Sequence, residues 1–360
     1  MKKLIRFILI TINLVAAVCL LLAYLCCWIS PENVWWLSFF GLAYGYLMVI
    51  LLFFSIFWLF TSKKKYALLS LAVVLLGWNN IWQNIQISGK KLPDKELENS
   101  IRIFSFNVHA FSQSNEMQKN GKKLNIYDYM NETGAEIICM QEFADYSKNP
   151  EFAGNISKKL NKPDYHTELP TGAIGIATYS SYPIIRKELI FSDKSTNACM
   201  CSDLLINGDT VRIYNVHLKS IGFTKEEREL LNNALKKEYD DSDVHTLKGI
   251  IRQMKNAYIR RAQQVDILKE HVDRSPYPVI ICGDFNDPPT SYSYKKIKGK
   301  RKDAFVEAGK GRSATYHIGR ISSQRIDYIL HSPSFRAYNY ESPRVRLSDH
   351  YPVMCHLVKR

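Results

Sequence analysis

One stretch constrains the fold of this chain more than any other: Pro278-Val279-Ile280-Ile281-Cys282-Gly283-Asp284-Phe285-Asn286-Asp287-Pro288. Its apolar run, 279–282, is short, rich in β-branched residues and bounded by proline and glycine, which predicts a buried strand. The strand stops at Gly283 and presents Asp284 and Asn286 at its end. Strand alternation puts those two side chains on one side if the chain stays extended. A carboxylate and an amide at the lip of a sheet can hold a water and a phosphate oxygen together. A strand followed by a plain polar turn has the same pattern, so the stretch draws its weight from what other strand ends carry.

Those ends repeat the theme. The alternating run Ile101-Arg102-Ile103-Phe104-Ser105-Phe106 delivers Asn107, and Ile137-Ile138-Cys139-Met140-Gln141 delivers Glu142. A helix is expected from residue 126, closed by Gly134. Residues 203–206 and 210–218 flank Asn207-Gly208, a tight hairpin signal, and the second of these strands carries His217. Asp327 sits inside the apolar run Ile326-Asp327-Tyr328-Ile329-Leu330, where a carboxylate needs a partner and a histidine is the obvious one. Asp349 and His350 precede the last strand. Each residue alone fits a solvated strand end. Together they repeat carboxylate, amide and imidazole too often for that. Such oxygen-rich sites suit Mg²⁺ or Mn²⁺ rather than zinc, and two histidines with carboxylates suit attack of water on a phosphate ester. The eight cysteines form no disulfide framework, and no His/Cys group has zinc spacing.

The motifs Phe106-Asn107-Val108, Gln141-Glu142, Asn215-Val216-His217-Leu218, Gly283-Asp284-Phe285-Asn286, Arg325-Ile326-Asp327-Tyr328 and Ser348-Asp349-His350 resemble, in order, those of the endonuclease/exonuclease/phosphatase superfamily. That superfamily includes deoxyribonucleases, apurinic endonucleases, neutral sphingomyelinases and inositol polyphosphate phosphatases. The resemblance implies an α/β fold: a four-layer sandwich of two packed mixed sheets flanked by helices. It implies a metal-dependent hydrolase of phosphoester bonds. Glu142 would be the principal Mg²⁺ ligand (Mn²⁺ the alternative), with Asn107 and Asp349 nearby. Asp284 would orient or deprotonate the attacking water, and Asn286 would hold a phosphate oxygen. His350, steered by Asp327, and His217 would be the catalytic histidines. The substrate would be an anionic phosphoester: nucleic acid by preference, a phospholipid headgroup or a phosphomonoester as alternatives. A catalytically silent scaffold on the same fold is the reading outside enzymology.

Composition divides the chain. Six of the 48 basic residues and one of the 34 acidic residues fall in 1–83, leaving 42 and 33 for the remainder, a net charge of +9. A basic domain favours anionic partners. Residues 1–83 are otherwise apolar and are expected to form a membrane anchor of three transmembrane helices, about 4–29, 34–60 and 66–82, with 84–100 as a linker and 101–360 as the catalytic domain. Lys2, Lys3, Arg6 and the Lys63-Lys64-Lys65 turn set the N-terminus and that turn in the cytoplasm. Three spans make this an integral membrane protein of the cell or inner membrane, in contact with the lipid bilayer, with an extracytoplasmic domain. Residues 223–271 have helical spacing and form an insertion of two helices, interrupted near residues 240–243. Its basic side chains Lys248, Arg252, Lys255, Arg260 and Arg261 fit a solvated helix face better than a phosphate track.

Overall fold

The structure, a computed structural model, describes residues 2–112, 116–119, 122–147, 149, 151–193, 195–233, 241–316 and 324–360. Its strands are β1 (Ser100–Asn107), β2 (Glu116–Lys119), β3 (Lys122–Asn125), β4 (Ile137–Ala144), β5 (Asp164–Glu168), β6 (Ile174–Ser180), β7 (Ile184–Ser192), β8 (Ala198–Ile206), β9 (Asp209–His217), β10 (Val279–Asp284), β11 (Lys302–Asp303), β12 (Asp327–His331), β13 (Phe335–Glu341) and β14 (Val353–Lys359). Its helices are α1 (Lys2–Leu25), α2 (Pro31–Val34), α3 (Leu37–Leu42), α4 (Tyr44–Leu59), α5 (Lys64–Leu76), α6 (Trp78–Asn84), α7 (Asp94–Leu97), α8 (Ile126–Glu132), α9 (Phe152–Lys159), α10 (Lys225–Asn233), α11 (Asp241–Asp273), α12 (Tyr292–Lys298) and α13 (Ala304–Ala308).

Two mixed six-stranded sheets stack face to face, in the orders β13-β14-β1-β4-β6-β5 and β11-β12-β10-β9-β8-β7, while β2 and β3 pair separately. Each large sheet has a parallel pair at its centre, β1 with β4 and β9 with β10, and antiparallel partners beside it. Period-two alternation explains the layering. Ile103, Ile137, Cys139, Ile213, Ile280, Cys282 and Ile329 pack between the sheets. The intervening residues face outward against helices. Phe104, Ile138 and Met140 pack on Ile126 and Met130 of α8 and Ile156 of α9. Tyr214, Ile281 and Leu330 pack on Ala262, Val265, Leu268 and Val272 of α11. Those four recur every three or four residues, so one stripe of the long helix is buried. Each fully buried Ile or Leu contributes about 1.5–3 kcal/mol. The fold is thus the four-layer α/β sandwich. The expected hairpin is present, with Asn207 and Gly208 at φ 52° and 87° between β8 and β9.

The strand ends are where this layering turns polar. Along β10 the inward row runs Ile280, Cys282, Asp284, and along β9 it runs Ile213, Asn215, His217. Deeper in, a polar bridge joins the sheets: Gln141 Nε2 donates to Asn215 Oδ1 at 2.7 Å, and Asn215 Nδ2 donates to the Ala177 carbonyl at 2.8 Å. A buried amide pair costs stability unless it is hydrogen-bonded, so this pair fixes how the sheets sit against one another.

The N-terminal region differs from three unbroken helices. The second apolar segment is divided at Trp35-Trp36 and at Ala43, and the third at Gly77. Among the described residues one helix, residues 3–25, is long and apolar enough to cross a membrane; α4 is apolar but has 16 residues. The break before α4 has a physical cause: residues 26–42 lie against the two-sheet domain. Phe39 packs edge-on to Tyr258 with ring centroids 5.8 Å apart, Gln263 Nε2 donates to Glu32 Oε1 at 2.9 Å, and Gln324 Nε2 donates to the Leu42 carbonyl at 3.2 Å. Gly41 permits the approach, since a Cβ there would sit 2.4 Å from the Thr290 carbonyl oxygen. Residues 84–100 are strapped down rather than loose. Gln86 and Gly311 exchange backbone hydrogen bonds of 2.9 and 2.7 Å, and Leu92 N donates to Asn339 Oδ1 at 3.0 Å.

Of the insertion, α10 and α11 are helices on either side of residues 234–240, so the expected interruption lies partly outside the described residues. Its basic residues separate by role. Arg261 is buried and pairs with Asp287 at 3.0 Å, and Lys255 lies over the Trp35 ring, whereas Lys248 and Arg252 are exposed.

Candidate active site

Register brings the site together. Asp284 is directly opposite His217 on one side and Asp327 on the other, so three neighbouring strands present one row of functional side chains. Gly283 makes this row possible. Its φ is +142°, and a Cβ there would fall 1.9 Å from the Val216 carbonyl oxygen. From the facing sheet, Asn107 Nδ2 donates to Asp284 Oδ2 at 3.0 Å and lies 3.3 Å from Glu142 Oε1. Glu142 sits at a β-bulge between Gln141 and Phe143, with φ +50°. The bulge turns its side chain toward His217, whose Nε2 is 3.6 Å from Glu142 Oε1. A non-glycine residue held at positive φ stores strain of about 1–3 kcal/mol, and such strain clusters at functional sites.

The two histidines are held differently. His350 Nδ1 lies 2.9 Å from Asp327 Oδ2, and its Nε2 points at Asp284 Oδ2, 3.7 Å away. Burial lowers the His350 pKa, but the carboxylates of Asp327 and Asp284 outweigh it and push it up to about 10. The ring is therefore imidazolium at neutral pH. His217 Nδ1 donates to the Thr196 carbonyl at 3.0 Å, which leaves Nε2 aimed into the site beside Asp284 Oδ2 at 3.8 Å. Burial raises the pKa of Asp284 against the pull of His350.

Asn286 adopts φ +51° and folds back on its neighbour: its N–H donates to Asp284 Oδ1 at 2.8 Å, and its Nδ2 donates to the Leu218 carbonyl at 3.0 Å. The same Nδ2 lies 3.2 Å from Asp284 Oδ2, so the amide also braces Asp284. Asp349 Oδ1 faces His109 Nδ1 at 3.1 Å. Burial raises the Asp349 pKa, but His109 and His350 outweigh it and hold the carboxyl below its usual range.

Ligand atoms of Asp284, Asp327 and His350 all lie within 4.8 Å of one another, and with the His350 ring protonated the two carboxylates are the donors this cluster offers a cation. Asp327 Oδ1 is buried with no hydrogen-bond partner among the described residues, as a position awaiting a cation or a proton would be. The oxygen-rich donors fit a hard divalent ion.

Three residues here were not singled out from the sequence. His109 follows Asn107 in a loop of positive φ and pairs with a residue far along the chain. Asn197 Nδ2 sits 3.5 Å from His217 Nε2. Tyr316 bridges to His350, with ring centroids 5.0 Å apart. Only His109 had a local signal, its place beside the Asn107 motif.

Residues 104–350 match the Endonuclease/Exonuclease/phosphatase family, and residues 4–84 match a domain of unknown function (DUF8431). No curated protein matches the chain. Similar solved structures include an endonuclease/exonuclease/phosphatase of Beutenbergia cavernae, at 16% identity over 72% of each chain and a TM-score of 0.46. They also include the Bacteroides thetaiotaomicron mannosyl-6-phosphatase, at 17% identity over 72% of this chain and 100% of that one, TM-score 0.46. A third is D. rerio TDP2 complexed with a single-strand DNA product, at 13% identity over 72% of this chain and 98% of that one, TM-score 0.48. With its matched segment spanning both sheets and every residue of the strand-end site, the chain belongs to the Endonuclease/Exonuclease/phosphatase family and is a phosphoester hydrolase.

Proposed function

We propose that this chain is a Mg²⁺-dependent phosphodiesterase, held at a membrane by its N-terminal helices, that cleaves nucleic acid. The observation that carries this reading is the row His217–Asp284–Asp327 with His350 locked onto it. Mg²⁺ or Mn²⁺, held by Glu142 with Asn107 and Asp349, would neutralise charge building on the phosphate oxygens. Asp284, fixed by Asn107 and Asn286, orients the attacking water and accepts its proton. Burial has already raised its affinity for a proton. His350 presents an Nε2–H to the phosphate and lends it positive charge, while Asp327 holds the ring in place. His217, with Nδ1 committed to Thr196, offers Nε2 to the other side of the phosphate. Asn286 is a positioning residue in this scheme.

Two features favour nucleic acid. The chain beyond residue 83 carries a net charge of +9, which attracts a polyanion. Tyr316, tilted 60° to the His350 ring beside it, offers an aromatic group to a base. A specific observation also supports a phospholipid headgroup: a cavity of about 430 Å³ opens between Tyr44–Val49 and Pro288, Pro289 and Arg312, next to the apolar N-terminal helices.

Anchoring is supported by α1, α4 and α5, which pack together yet leave Phe7, Val15, Val49, Phe53, Ile56, Leu68 and Leu76 exposed. A continuous apolar belt of this kind suits lipid. With Lys2, Lys3 and Arg6 cytoplasmic by the positive-inside rule, a crossing by α1 would put residues 26–42, and the two-sheet domain they touch, outside the cytoplasm.

The test of mechanism is Glu142→Ala in the full chain: metal-dependent hydrolysis should vanish while the circular dichroism spectrum is unchanged. Full activity in that variant removes the metal assignment. The test of topology is a reporter after Arg360, which should be active only outside the cytoplasm.

A further inference from the structure

Away from the strand-end site, a second cluster of ligand side chains lies on the outer face of the other sheet edge. Glu188 on β7 is directly opposite Cys201 on β8, and Cys201 is directly opposite Tyr214 on β9. His271, in the last turn of α11, covers this row. Ligand atoms of Glu188, Cys201 and His271 all lie within 4.8 Å of one another. His271 Nε2 is 3.5 Å from Glu188 Oε1, and Cys201 Sγ is 3.8 Å from Glu188 Oε2. Tetrahedral zinc with ordinary bond lengths separates its N and O ligands by about 3.3 Å and its S and O ligands by about 3.6 Å. The observed spacings, one to each oxygen of the Glu188 carboxylate, are each about 0.2 Å longer than these.

We propose that Glu188, Cys201 and His271 form a second metal site, for Zn²⁺ or a comparable thiophilic divalent ion, that clips the end of α11 to the edge strand β7.

The surroundings are those of a metal ligand set. Tyr214 Oη lies 2.9 Å from His271 Nδ1 and 3.5 Å from the His271 carbonyl. In the tautomer that binds a metal through Nε2, the proton sits on Nδ1 and the phenol oxygen accepts its hydrogen bond. That fixes the tautomer and leaves the Nε2 lone pair for the ion, the role an outer hydrogen bond plays for metal-bound histidines. All three ligands stand on regular strands or a helix, which hold them better than loops do. Cys201 is buried, while Glu188 and His271 are partly exposed, so the cluster is reached from solvent on the Glu188–His271 side. Arg186 Nη2 contacts Glu188 Oε2 at 2.9 Å, while Oε1 faces the histidine. Thiolate and carboxylate together balance a divalent charge. Binding releases the thiol proton, so affinity rises with pH. The softness of a cysteine ligand separates this site from the oxygen-rich catalytic centre, which takes a hard ion.

The experiment titrates Co²⁺ into the full chain in detergent, with millimolar Mg²⁺ present to occupy the catalytic centre. One equivalent should produce tetrahedral d–d bands and a thiolate-to-cobalt charge-transfer band, both displaced by Zn²⁺. Cys201→Ser should abolish the charge-transfer band, and Cys199→Ser, altering a nearby buried thiol, should keep it. Because Cys201→Ser alters a core position, Glu188→Gln at the half-exposed edge is the second variant. It should weaken Co²⁺ binding by more than about tenfold and leave phosphoester hydrolysis at the wild-type level, and Tyr214→Phe should weaken binding by about 10- to 100-fold. No charge-transfer band, a band that survives Cys201→Ser, or a Glu188→Gln titration that overlays the wild type would each overturn the site and leave an ordinary Glu188–His271 ion pair.

Discussion

His350 Nδ1 and Asp327 Oδ2 lie 2.9 Å apart in a buried pair at the meeting point of the two sheets. They are brought together because β12 begins at Asp327 and the chain enters β14 just after His350. Asp327→Asn keeps the shape and removes the charge that holds His350 as imidazolium. The expected outcome is a fall in kcat of roughly 10²- to 10⁴-fold with little change in KM. The His350 ring should titrate at lower pH in that variant, read by NMR of labelled histidine.

Glu142 is held at φ +50° in the bulge of β4. Glycine adopts that conformation without strain. Glu142→Gly should therefore leave Tm at or above the wild-type value while hydrolysis is lost. A large drop in Tm would show that the glutamate is there for stability rather than for chemistry.

Much of this site could be read from sequence because it is built on strands. An apolar run with period two that ends in a carboxylate, amide or imidazole declares both the strand and the direction of its last side chain, as at Asp284 and His217. The partner of Asp327 also followed from the cost of burying a lone carboxylate. The residues that were missed lack such a rule. His109 lies in a loop whose positive φ values no periodicity reports. The contact of Asn286 with Asp284 depends on its left-handed backbone, which no periodicity reports either. The break at Ala43 falls in an apolar run, where residues 26–42 pack against the two-sheet domain, whereas the break at Gly77 falls on a residue of low helix propensity. Glu188, Cys201 and His271 are joined only by cross-strand register and by helix placement, so no sequence spacing could announce them.

Gly283 cannot carry a side chain. Its Cβ would meet the Val216 carbonyl oxygen at 1.9 Å, and its φ is +142°. Gly283→Ala must force β9 and β10 apart at their functional ends. A loss of stability of more than about 4 kcal/mol is expected, read by urea unfolding or by failure to recover soluble protein.

Glu307 on α13 gives a pH test outside the active site. Burial raises its pKa, but His331 at 3.2 Å, the Ala337 N–H at 2.9 Å and Lys302 at 3.5 Å outweigh it and pull the carboxyl down to about 2. The folded value lies below the unfolded value of about 4.3. Its contribution is thus fully present above that value and is lost as pH falls through about 2. Glu307→Gln should lower Tm at pH 7 and bring wild type and variant closer together at pH 2, in parallel thermal melts.

The most direct test of the central claim is cleavage by the purified full chain in detergent with Mg²⁺. Plasmid DNA, RNA and mixed phospholipid vesicles would be offered in parallel, each with a His350→Ala control. The expected result is strand cleavage by the wild type alone, abolished by EDTA and weakened by rising salt as a polyanion substrate requires. Release of a lipid headgroup with nucleic acid intact would contradict the nuclease reading, and silence on all three substrates would contradict phosphodiester hydrolysis itself.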